Sequence, residues 1–131
     1  IRLTGGEPLV RNNVLKLMRE LGALTQLQEL VLTTNGSQLP HMAQDIRAAG
    51  VKRINISLDS LDAERFRRLT RVGDLHQVLA GIDAALAAGF DKVKINAVIL
   101  KHRNDDEVVP LVEFASSRGM ATASRPRPTA R

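Results

Sequence analysis

The sequence predicts an α/β fold in which a parallel β/α sheet of about four strand–helix units curls into an incomplete barrel. Three observations carry this. Short strand-like runs alternate with amphipathic helical runs along the 131 residues, the pattern of crossover units in a parallel sheet. Every strand-like run puts its apolar residues on one parity and its polar residues on the other. A sheet covered on both faces would instead read as continuous apolar strands, so a barrel-like sheet with helices outside and a polar interior fits best.

The first strand covers about Ile1–Thr4 and leads through Gly5-Gly6-Glu7-Pro8 into a helix near Asn13–Leu21, where Val14, Leu15, Leu17, Met18 and Leu21 share a face. A second strand near Glu29–Thr33 precedes Thr34-Asn35-Gly36 and a helix around Pro40–Ala49, stopped by Gly50. The third strand, Arg53–Leu58, enters a helix that Ser60 or Asp62 can cap. A further helix, Leu75–Ala88, ends at Gly89. The fourth strand, Lys92–Leu100, is followed by Asp105-Asp106 and a helix over Glu107–Ser117. Residues 118–131 carry no periodicity and contain alternating prolines, which cannot donate to a sheet ladder; an irregular tail is expected there, after a structured unit of 1–117.

Composition narrows the function. Arg118, Arg125, Arg127 and Arg131 supply four of the five net positive charges, leaving +1 for the first 117 residues. With no Trp or Tyr for base stacking, a nucleic-acid partner is not expected. No apolar run approaches the length of a membrane span, so no membrane partner is expected either. The chain opens inside a strand pattern, without Met or a leader, which suggests a truncated end. It has no cysteine, hence neither a disulfide nor a thiolate-held cluster, and no metal site is expected. His41, His76 and His102 lack metal-ligand spacing and read as surface residues.

Sorting by parity puts Ile1, Leu3, Leu30, Leu32, Ile54, Ile56, Leu58, Val93, Ile95 and Ala97 on one face. The other carries Arg2, Thr4, Thr33, Asn35, Asn55, Ser57, Asp59, Lys94 and Asn96. Unpaired polar groups cost about 1–3 kcal/mol each when buried, so this face requires water or a ligand. An inward lysine mid-strand needs an anion, either Asp59 or a phosphate or carboxylate ligand. Arg2 suits bidentate anion recognition. Gly5-Gly6 serves either a close ligand approach or a tight turn, and Glu7 either accepts from an ammonium group or caps the next helix.

The stretches IRLTGGEPLVR, LTTNG, INISLDSLDAERFRRLTR and VKINAVILKHRNDDE, in unbroken order over about residues 1–117, resemble the GTP 3′,8-cyclases of molybdenum-cofactor biosynthesis, a family of radical S-adenosylmethionine (SAM) enzymes. GGEP alone points only to the wider superfamily; SLDSLD with its ERF-RLTR continuation and KINAV with N-D-D-E are more specific. The resemblance implies an incomplete α/β barrel of the radical SAM type. It also implies a 4Fe-4S cluster on a CxxxCxxC loop that cleaves S-adenosylmethionine to a 5′-deoxyadenosyl radical. Hydrogen abstraction from C3′ of GTP then leads to attack on C8, toward cyclic pyranopterin monophosphate. By the same resemblance Arg2, Thr33 and Lys94 contact GTP, while Gly6 and Ser57 contact S-adenosylmethionine. A second cluster near the C-terminus, a cytoplasmic setting and a homodimer belong to that family picture.

This chain departs from the family in lacking the cluster cysteines, and residues 120–131 do not match the strand expected there. The leading expectation is therefore a central fragment, inactive alone and without a catalytic residue of its own. Two alternatives stand beside it: a barrel enzyme using Lys94 as a Schiff-base lysine, and a non-catalytic nucleotide-binding remnant.

Overall fold

A computed structural model describes the backbone of residues 1–127 and the side chains through Thr122. Its five strands are β1 (Arg2–Leu3), β2 (Val31–Thr34), β3 (Arg53–Ser57), β4 (Lys92–Leu100) and β5 (Ala121–Arg127). Between them lie α1 (Val14–Gly22), α2 (Leu39–Ala48), α3 (Ala63–Thr70), α4 (Leu75–Ala88) and α5 (Val108–Ser117). All neighbouring strands are parallel, and their spatial order is the chain order, β1 to β5. Parallel crossovers are almost always right-handed, so strands laid down in sequence order carry all their helices on the same face. The opposite face is left without helices. This open sheet is the arrangement of a partial barrel.

Burial follows the parity of the sequence. Leu32, Ile54, Ile56 and Ile95 are at most 1% exposed and pack with Met18, Leu39, Ile46, Phe66, Ile82 and Leu111 in one core. Each such side chain contributes about 1.5–3 kcal/mol relative to exposure. Along β4 the inward residues Val93, Ile95 and Ala97 are buried, whereas Lys94, Asn96 and Val98 between them are half-buried. Ile1 is an exception. It precedes β1 and is 56% exposed instead of joining the covered face.

Local chemistry sets the helix ends. Asp62 Oδ1 accepts from the Arg65 amide at 2.8 Å and caps α3, which resolves the choice between Ser60 and Asp62. Asp74 caps α4 by accepting from the His76 amide at 2.9 Å, and Gly89, at φ +80°, closes it in the left-handed conformation. Midway along α4, a methyl group on Gly81 would run into the Gly36 carbonyl, so this glycine lets the helix press against the turn after β2.

The main correction concerns the tail. Residues 121–127, expected to be irregular, form a fifth strand paired with β4 from Lys94–Ala121 to Leu100–Arg127. The physical reason is its place at the sheet edge. An edge strand has one side of its backbone without a neighbour, and that is where proline is tolerated. Pro126 lies opposite Ile99 in that ladder. The rest of the expected tail, residues 128–131, lies outside the described residues. No helix among the described residues is long and apolar enough to cross a membrane.

Candidate functional site

Register turns parity into geometry. Residues paired across parallel strands share a face, which gives three rows on the side without helices. The first is Arg2–Val31–Arg53–Lys92, the second Thr33–Asn55–Lys94–Ala121, and the third begins Ser57–Asn96. Strands stand about 4.8 Å apart and successive rows about 6.6 Å. Thr33, Lys94 and Ser57 are therefore neighbours on one patch. Arg2, on the edge strand and a row nearer the N-terminal ends, is the outlier, exposed beside Val31. Val31, 6% exposed, is an apolar member of this face that parity sorting over Glu29–Thr33 left out.

Lys94 and Thr33 on this patch have bonding capacity that no partner among the described residues meets. Lys94 is half-buried and forms no salt bridge or side-chain hydrogen bond among the described residues. The hydroxyl of Thr33 is occluded and has no partner among the described residues. Asp59, the alternative partner for Lys94, instead accepts from the Val98 amide at 2.8 Å. Arg53, on the first row, is held by Glu29 at 3.1 Å.

The loop after β1 divides its roles by residue. Gly5 has φ +119°, a conformation other residues rarely adopt. Gly6 has no such requirement, and a methyl group there would meet nothing within 4 Å. The turn explains Gly5; at Gly6 the backbone borders open space. Glu7 makes no side-chain cap to the turn that follows it. Its carboxylate accepts from Thr34 Oγ1, at 2.8 and 2.7 Å to its two oxygens, and from the Asn35 amide at 2.9 Å. It ties the GGEP loop to the end of β2.

A second tie joins the loops after β3 and β4. Asn104, fully buried, donates to the carbonyls of Asp59 (2.8 Å) and Val98 (2.9 Å) and accepts from the Leu100 amide at 2.7 Å. Glu107, 8% exposed, accepts from Ser60 Oγ at 2.7 Å, the Leu61 amide at 2.8 Å and Arg65 at 2.9 Å. Hydrogen bonds to Asp106, then Glu107, raise the Arg65 pKa above its ordinary value. A raised cation stabilises the fold below its unfolded pKa and loses that contribution only at higher pH, so Arg65 adds no titration near neutrality. Sequence reading quoted N-D-D-E as a motif but assigned Asn104 and Glu107 no role. Their spacing, more than forty residues from Ser60, gives no local signal.

The donor set fits an anionic ligand and does not fit a cluster. The chain has no cysteine, and among the described residues no group of three or more His, Asp or Glu side chains could hold a metal ion. His41, His76 and His102 are all exposed. An ammonium and a hydroxyl without partners among the described residues, with an approachable glycine backbone, suit a phosphorylated or carboxylated small molecule.

A parallel sheet with helices on one side and a polar face bordered by a GGEP loop defines a class, and the Radical SAM superfamily model matches residues 1–115. The chain belongs to the radical SAM superfamily. Within it, the chain is similar to the GTP 3′,8-cyclase of Ectopseudomonas mendocina, 62% identical over 120 residues, which are 92% of this chain and 36% of the relative. Similar too are the GTP 3′,8-cyclases of Pseudomonas entomophila (65% over 118 residues, 90% and 35%) and Marinobacter nauticus (58% over 118 residues, 90% and 36%). The chain thus spans about a third of the length of these curated relatives.

Proposed function

We propose that this chain is the central, ligand-binding segment of a radical SAM GTP 3′,8-cyclase. The observation that supports it most is Lys94, a half-buried cation with no counter-ion among the described residues, on the side of the sheet that carries no helices. In this reading Lys94 and Arg2 neutralise the triphosphate of GTP, and the Thr33 hydroxyl finds there the partner it lacks among the described residues. Gly6 offers its backbone to S-adenosylmethionine, and Ser57 hydrogen-bonds it from the end of β3. When bound, that cofactor supplies the 5′-deoxyadenosyl group that abstracts hydrogen. Any cluster serving this site must be held by residues other than these, since the chain has no thiolate. The protein's part is to bind and orient, through charge-assisted contacts that strengthen as water is excluded. The same reading includes a cytoplasmic setting and a homodimer for the working enzyme.

Titrating the full chain with GTP tests this. Losing a hydrogen bond to a charged group costs about 1.5–3 kcal/mol, so Lys94→Ala is expected to weaken GTP at least about tenfold while leaving S-adenosylmethionine affinity unchanged. Ser57→Ala is expected to do the reverse. Unaltered GTP affinity in Lys94→Ala contradicts the assignment, and borohydride trapping of a carbonyl substrate on Lys94 would replace it with Schiff-base chemistry.

A further inference from the structure

Asn55 lies at the centre of β3, paired in register with Thr33 of β2 and Lys94 of β4. It is 3% exposed, and its side chain forms no hydrogen bond among the described residues. Its neighbours Ile54 and Ile56 enter the helix-covered core, so strand alternation turns the amide to the polar face. There it stands beside the orphan hydroxyl of Thr33. An amide carries two N–H donors and a carbonyl acceptor, and none of them meets a partner among the described residues. Nothing among the described residues uses this bonding capacity, so an apolar residue of the same size would serve the strand as well.

We propose that Asn55 is a further substrate-contacting residue, hydrogen-bonding the nucleotide between Thr33 and Lys94. The proposal rests on the reading of this face as a GTP site. Asn55 shares its row with the two nucleotide contacts, whereas Ser57 lies a row away, so the contact is to GTP and not to S-adenosylmethionine. The amide donates to a phosphate or ribose oxygen beside the Lys94 ammonium, a contact that shape and charge alone would not provide.

The test measures GTP affinity, S-adenosylmethionine affinity and thermal stability of the full chain carrying Asn55→Leu, which matches asparagine in size without its polar groups. Stability is expected to hold or rise while GTP binding weakens about tenfold and S-adenosylmethionine binding stays unchanged; a structural amide cannot move stability and affinity in opposite directions. Undiminished GTP affinity overturns the proposal, as does equal weakening of both ligands. If Leu lowers stability and GTP affinity together, Asn55→Asp decides. Its negative charge beside the triphosphate is expected to reduce GTP binding further, and wild-type affinity in that variant overturns the proposal. Lys94→Ala run in parallel separates the two levels. GTP binding lost there but kept in the Asn55 variants sinks the Asn55 contact alone; binding kept in both sinks the nucleotide reading of the face with it.

Discussion

At Gly5 the backbone angle demands glycine, while at Gly6 nothing in the fold does. That contrast makes Gly6→Ala an informative change. An added methyl meets open space, and a less flexible unfolded chain stabilises by about 0.4–1 kcal/mol, so thermal stability is expected to stay level or rise slightly. S-adenosylmethionine affinity is expected to fall, because the methyl occupies the space through which the ligand reaches the backbone. A loss of stability in calorimetry would mean that Gly6 serves the turn. At this scale the sequence was legible where parity sets the face a residue takes, as for Thr33, Ser57 and Lys94, which the register puts on one side of the sheet. Glu7 was not legible. Its carboxylate is held by Thr34 and Asn35, 27 and 28 residues along the chain, a contact that exists only once β1 and β2 pair.

Among the elements, α4 and β4 were read at their observed bounds, because each carries its own signals. Asp74 and Gly89 punctuate α4, and β4 alternates buried and half-buried residues. The fifth strand carries no such signal. Its prolines and small residues read as a loop, and only the exposed ladder of β4 gives it a place to pair. The clip between the loops after β3 and β4 was likewise invisible until the chain folds. Asn104→Ala leaves the Leu100 amide and the Asp59 and Val98 carbonyls without their partner, and is expected to cost at least about 1–3 kcal/mol in chemical denaturation. A neutral result would mean that water replaces the amide easily. Gly81→Ala is expected to destabilise by about 1–3 kcal/mol by driving a methyl into the Gly36 carbonyl and prying α4 from the turn after β2. Wild-type stability there would show that the two elements can separate without cost.

For the molecule as a whole, winding decides what is available for function. Strands in chain order commit every helix to one face, and the residues left on the other are those whose polarity the core cannot use. Thr33, Asn55, Ser57 and Lys94 then form one patch, with Arg2 apart from it on the edge strand. The same winding leaves β1 and β5 as open edges, where unpaired backbone groups invite further strands. The chain spans about a third of its relatives' length, so a larger sheet has somewhere to continue. The most direct measurement of the central claim is an NMR titration of the isotope-labelled full chain with GTP. Saturable amide shifts are expected at Thr33, Asn55 and Lys94 and their row neighbours, with the outer surfaces of α1 to α5 unmoved. Shifts confined to the helical side, or no saturable shift at all, would contradict it.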